Sequence, residues 1–243
     1  MDMKIVIPSC YAYRQCWEPW VAFQKLNWPK CPYETVLLTD GPAFVPAELH
    51  KNAILSEDHG FCGNLLRWCK EHPAEKFVIV MLDDHWICGQ VDNHYLDAAS
   101  NIVNHNETIG CFRLHQSPGP TSDLPGSDLC FYGIADPHTP YRISTAPSIW
   151  RVSYLVKLLD LLEREKPTDE QYGFKWPTAG YFEIAGSLMS MTFHETILAA
   201  SVPIIPFWNS AIVHGRWNRS VVEEAAKIGV MVDTNGRPFR SLT

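Results

Sequence analysis

The residues best suited to do chemistry are two adjacent acids, Asp83 and Asp84, in the stretch Lys76 to Ile87, KFVIVMLDDHWI. An unbroken apolar run, Phe77 to Leu82, leads into them, and His85 and Trp86 follow. A short apolar run with β-branched residues and a punctuated end reads as a strand buried on both faces. In an open α/β sheet the ligand crevice lies outside the carboxyl ends of the strands, so both carboxylates are expected at that rim. Side-by-side carboxylates repel, and both stay ionised most easily when a cation or a ligand compensates them. Hard oxygen donors suit Mg²⁺ or Mn²⁺, which usually keeps contacts to substrate phosphates. The pair equally fits a loop in which one acid caps a helix and the other is solvated.

Other residues offer chemistry with a plain structural alternative beside it. Asp40 ends the run Tyr33 to Thr39 and precedes Gly41-Pro42, a turn signal. Nucleotide-binding folds often put an acid there for a ribose, and a turn also starts this way. Glu183 lies between Phe182 and Ile184. A carboxylate there could take a proton from an acceptor hydroxyl, or meet the dipole of a helix N-terminus. His214, between Val213 and Gly215, is either a ligand or a satisfied, partly buried residue. Tyr172, Trp176, Trp208 and Trp217 could stack on a sugar or a base, although most of the nine tryptophans must be core.

The elements needed to place these residues are legible along the chain. Lys4 to Pro8 is a short strand, with Ser9, Cys10 and Tyr11 at its carboxyl end. Trp17 to Trp28 has a helical stripe, and Tyr33 to Thr39 is the next strand, which opens a βαβ unit. Ala53 to Leu55 is a candidate short strand, Phe61 to Glu71 a helix carrying Arg67, and Asp92 to Asn104 another helix. Thr108 to His115 alternates like a strand. Gln116 to Pro140 is loop-like, with a short strand expected within Leu129 to Ile134. Trp150 to Glu165 is expected to be a helix, Pro167 to Pro177 a polar loop, and Gly180 onwards an apolar segment. Ser220 to Ile228 reads as a helix with Ser220 as its N-cap, and about the last fifteen residues as a tail.

Composition sets the outer bounds. The chain has 243 residues, 46% hydrophobic and 19% charged, which suits one large α/β domain or one domain with an appendage. A formal charge of −7 gives no general attraction to nucleic acid or an anionic membrane. From His214 onwards five basic residues face three acids, so that segment is +2 and the remainder −9. The eight cysteines show no CxxC spacing and read as free thiols in a reducing compartment. No run reaches the ~20 apolar residues of a membrane span. The expectation is a soluble cytoplasmic protein.

The segments KIVIPSCY, YETVLLTDG, FVIVMLDDHWI, APSIWRVSYL, YFE and NSAIVHGRW, taken in order, resemble nucleotide-sugar glycosyltransferases of the GT-A fold. The likeness is greatest to small bacterial and viral members with an apolar strand ending in two acids. It implies a mixed, mostly parallel central sheet flanked by helices. It also implies one domain over residues 1–243, with a nucleotide-sugar half over 1–115 and an acceptor half over 116–243. By resemblance, Asp83 and Asp84 bind Mn²⁺ or Mg²⁺ and the donor diphosphate, Asp84 having a catalytic part. The usual motif is Asp-any-Asp, so His85 at the third position is a departure and a further candidate ligand. Ser9, Tyr11 and Asp40 fall where these enzymes hold the nucleoside, and Arg67 where a basic residue approaches the diphosphate. Glu183 matches the general base of inverting members, and His214 a late metal or diphosphate ligand, with Arg216 and Trp217 beside it.

The expected function is transfer of a sugar from a nucleotide-sugar, a UDP-sugar first, to a glycan hydroxyl. A phage-type variant would instead modify hydroxymethylated bases in DNA, and the acidic bulk counts against it. A nucleotidyltransferase-like enzyme would need a Gly-rich basic loop after the first strand, and PSCYAYRQC has no glycine. A non-catalytic nucleotide- or sugar-binding module is the remaining reading.

Overall fold

Apolar strands that alternate between two cores build the sheet. In β1 (Lys4–Pro8), Ile5 and Ile7 face one core and Val6 the other, and the same division holds for Ile79 against Val78 and Val80 in β4 (Phe77–Val80). The computed structural model describes residues 3–41, 45–50, 54–55, 59–122, 131–166, 173–174, 176–208 and 210–241. With β2 (Glu34–Thr39), β3 (Ile54–Leu55), β5 (Ile109–Arg113), β6 (Tyr132–Ile134), β7 (Ser148–Arg151) and β8 (Thr196–Ala200), these strands form one eight-stranded sheet, ordered β3-β2-β1-β4-β7-β5-β8-β6. β3, β2, β1 and β4 run parallel. β7 is antiparallel to both β4 and β5, so β5 and its parallel partner β8 share the direction of β1, and β6 closes the edge antiparallel. The sheet is thus mixed and mostly parallel, as expected.

Helices cover both faces. On one side pack α1 (Trp17–Asn27), α4 (Asn93–His105) and α7 (Arg219–Lys227), through Trp17, Trp20, Phe23, Leu96, Val103 and Val221. On the other lie α3 (Gly60–Glu71), α5 (Val152–Glu165) and α6 (Ala179–Ser190), through Leu65, Trp68, Leu155, Leu158, Leu162 and Phe182. A short α2 (Ala47–His50) follows β2, and a two-stranded ribbon pairs β9 (Ile212–Val213) with β10 (Arg216–Trp217). No helix among the described residues is long and apolar enough to cross a membrane. The described cysteines are free, as expected, while Cys130 and Tyr172 lie outside the described residues.

The structure corrects the sequence reading in four places. Trp150 and Arg151 do not begin a helix but end β7, and α5 starts at Val152. Ile149 faces one core and Trp150 the other, a two-sided burial that a strand satisfies and a single-faced helix does not. Arg151 then donates to the carbonyls of Val103, Asn106 and Ile109, closing the C-terminal end of α4. β8, TILAA, carries no alternation, because all but its first residue are buried, and it escaped notice. Ser220 lies inside α7, whose N-cap position is Asn218. The apparent tail is docked, as described below.

Asp92 caps α4, its Oδ1 accepting from the Tyr95 amide at 3.1 Å. Asp92→Ala should lower the unfolding free energy by about 1 kcal/mol in urea titration. An unchanged midpoint would show that the cap contributes nothing.

Candidate functional site

The carboxyl ends of β1, β2 and β4 meet at one edge, and Asp83 and Asp84 sit in a turn just past β4. Both are buried, with about 5% of their surface exposed. Ser9, directly after β1, donates from Oγ to Asp83 Oδ2. The Trp17 indole N–H is shared between Ser9 Oγ at 2.8 Å and Asp83 Oδ2 at 3.3 Å. The Asp84 backbone carbonyl accepts from Ala211 N at 2.8 Å, and its Oδ2 from Ile212 N at 3.4 Å. The acids are thus held between the chain after β1 and the chain entering β9.

Among the described residues no Lys or Arg forms an ion pair with either acid. Burial raises both carboxyls well above the usual carboxylate range, and for Asp84 the charge of Asp83 adds to it. Hydrogen bonds from Ser9 and Trp17 offset part of the burial at Asp83. His85 does not supply the missing charge. Burial pushes its imidazole down to about 3, so the ring is neutral. It lies 4.4 Å from the Phe207 ring, its Nε2 is 3.2 Å from Ser210 Oγ and 3.9 Å from Asp84 Oδ1, and its Nδ1 has no partner among the described residues.

Past the end of β1, a six-residue 3-10 segment, Tyr11–Cys16, follows Ser9. Asp40, past the end of β2, accepts from the Tyr11 amide at 2.5 Å and so fastens this segment to the sheet edge. Gly41 is needed there, because a Cβ would come within 2.6 Å of the Tyr11 ring. Tyr13, which sequence reasoning missed, is pushed up to about 12 by burial and then by the charges of Asp84 and Asp83. The segment after α7 lies across this side. Arg237 donates to the Ala12 carbonyl at 2.9 Å with its guanidinium 4.7 Å from the Tyr13 ring. Gln15 donates to the Asn235 carbonyl at 3.0 Å, and Trp217 N to Pro238 O at 2.8 Å.

Glu183 is on the second turn of α6, a helix capped by Thr178. Its Oε1 accepts from Thr145 N and Thr145 Oγ1, both at 2.8 Å, and from Ser144 Oγ at 3.3 Å. Oε2 takes no hydrogen bond among the described residues, which leaves it available to a ligand. Ser144 and Thr145 lead into β7, whose Ser148 is in register with Val80 of β4. Glu183 and the acid pair therefore project past the same strand ends. Ser144 and Thr145 carry no motif that sequence reading could have used. Nor does Arg113, at the end of β5, which is wholly buried with Nε and Nη1 unpartnered among the described residues.

The remaining candidates fall elsewhere. Arg67 is exposed on α3 and pairs with Glu71 at 2.8 Å, away from the acid pair. His214 and Gly215 form the exposed β9–β10 turn, both at positive φ (51° and 73°). Arg216 is exposed beside them. Trp217 is fully buried, 6.5 Å from Trp86, and is core rather than a stacking platform. Among the described residues no group of three or more His, Cys, Asp or Glu side chains is placed to hold a metal. The protein donors at the sheet edge are the two carboxylates. Two buried acids without a protein counter-charge fit a divalent cation whose other ligands are phosphate oxygens and water.

No family model and no curated protein matches the chain. Solved structures that match the chain include a 2-C-methyl-D-erythritol 4-phosphate cytidylyltransferase from Thermus thermophilus, at 13% identity and TM-score 0.48, covering 95% of this chain and 100% of that one. A putative nucleotide-diphospho-sugar transferase from Desulfovibrio desulfuricans G20 matches at 11% identity and TM-score 0.45, over 82% and 80% of the two chains. An active-site mutant of LgtC matches at 9% identity and TM-score 0.44, over 82% and 72%. Likeness at this level carries no argument, and both the fold description and the functional reading rest on the residues.

Because Asp83 and Asp84 hold protons more tightly when folded, the native state binds more protons than the unfolded chain above the ordinary carboxylate pKa of about 3.9. Metal-free stability therefore falls as pH rises through that window. Asp84→Asn should raise Tm at about pH 8 in EDTA, with a gain that shrinks towards about pH 5. Equal gains at both pH values would refute the buried-charge description.

Proposed function

We propose that this chain is a metal-dependent glycosyltransferase that moves a sugar from a nucleotide-sugar, a UDP-sugar first, to a hydroxyl of a glycan. The observation that carries the reading is the pair of buried, uncompensated carboxylates at the sheet edge, with Glu183 anchored through one oxygen past the same strand ends. Mg²⁺ or Mn²⁺ held by Asp83 and Asp84 would neutralise charge growing on the leaving diphosphate. Ser9 and Trp17 orient Asp83, and the Ile212 amide orients Asp84. Tyr11 and Asp40 form the wall against which a nucleoside would lie.

Glu183 Oε2 accepts the proton of the acceptor hydroxyl while Thr145 and Ser144 hold Oε1. The acceptor oxygen bonds to the sugar C1, the C1–phosphate bond breaks, and its electron pair leaves on the diphosphate. Burial of the acids keeps water from screening these charges. The formal charge of −7 on the whole chain favours a glycan over DNA as acceptor.

Thermal shift with UDP-sugars should show a rise in Tm that needs both Mn²⁺ and the nucleotide, and that Asp84→Asn loses. No rise with any sugar nucleotide would remove the proposal. A shift with CTP alone, and a cytidylyl product, would assign nucleotidyl transfer instead. Glu183→Gln should retain the donor-dependent shift and lower kcat by about 10² or more. Full activity of that variant would exclude Glu183 as the base.

A further inference from the structure

A second concavity lies outside the crevice, between α3 and the C-terminal end of α5, with a volume of about 600 Å³. Among the described residues its charged lining is Arg67, Lys70 and Lys166 against Glu71 and Glu163, with His59 in addition. These lining residues carry one positive charge more than negative, on a chain of net charge −7. Arg67 is tied to Glu71 and Lys70 to Asp160, but Lys166 forms no ion pair among the described residues. Its Nζ stands 6.0 Å from the centroid of Trp176, a half-buried ring in the wall.

Lys166 ends α5 in the left-handed region, at φ 31°, with its amide bonded to the Leu162 carbonyl. Glycine or asparagine usually takes this place, because a side chain there is strained. A lysine at such a position points to a role for its side chain. The hollow is also joined to the catalytic helix. The Cys62 amide donates to the Pro177 carbonyl at 3.0 Å, and Gly60, at φ 63°, leaves room for the Pro177 ring that a Cβ would meet at 2.3 Å. Thr178, next in sequence, caps α6, on which Glu183 lies.

We propose that this hollow binds an anionic saccharide, a sugar bearing a carboxylate or a phosphate, as a docking subsite for the acceptor. Trp176 offers an apolar face to a sugar ring, Lys166 meets the anionic substituent, and Glu163 accepts from hydroxyls. As an acceptor subsite it rests on the glycosyltransferase reading, but its binding test needs neither donor nor metal, so the two fail separately.

The experiment is titration of the whole chain, without donor or metal, with glucuronic acid, glucose 6-phosphate, glucose and inorganic phosphate, followed by tryptophan fluorescence and calorimetry. One or both anionic sugars should bind, with glucose and phosphate at least about tenfold weaker. Binding of only one anionic sugar supports the site and tells which substituent it takes. Lys166→Gly suits the backbone there, and should keep Tm while weakening anionic sugars about tenfold. Lys166→Arg should restore binding. No binding of either acid, phosphate binding as tight as glucose 6-phosphate, or unchanged affinity in Lys166→Gly would overturn the proposal.

Discussion

Everything at the sheet edge depends on the burial of two like charges in adjacent positions. Water does not reach Asp83 and Asp84 well enough to solvate them, and no cationic side chain pairs with them among the described residues. Hydrogen bonds from Ser9, Trp17 and the Ile212 amide recover part of that penalty. The remainder is a standing free-energy cost of the unliganded protein. A fold tolerates such a cost when a bound partner removes it, which couples ligand binding to stability.

The insertion of β7 between β4 and β5 gives this edge its second half. By running antiparallel it brings Ser144 and Thr145 to the same end at which β4 delivers the acids. Those residues then hold one oxygen of Glu183 from the opposite layer of helices. The acid pair, packed against Trp17 of one helix layer, and Glu183 of the other layer thus meet across one sheet, and the strands between them fix their separation.

Much of this was legible in the sequence. The run FVIVM ending in two acids located the rim, because continuous burial and abrupt polarity are both local signals. The βαβ opening and α4 followed from periodicity and, at Asp92, a cap. β7 and β8 were not legible as strands. Ser148–Arg151 is too short to show a period before a strong helix, and Thr196–Ala200 is buried on both faces and rich in alanine. Arg67 and His214 were placed at the diphosphate by resemblance, whereas helix phase turns Arg67 outwards and a tight turn carries His214 into solvent. Ser144, Thr145 and Arg113 matter only through tertiary contacts, which no spacing in the chain encodes.

The strap from Asn235 to Arg237 has a kinetic consequence. It joins Gln15 and Ala12 to partners 220 and 225 positions away. Such closures are slow to find, since the loop entropy must be spent before the contact repays it. The sheet can therefore assemble while the segment Tyr11–Cys16 beside it is still loose, and this segment should be among the last parts of the molecule to lose amide exchange on folding.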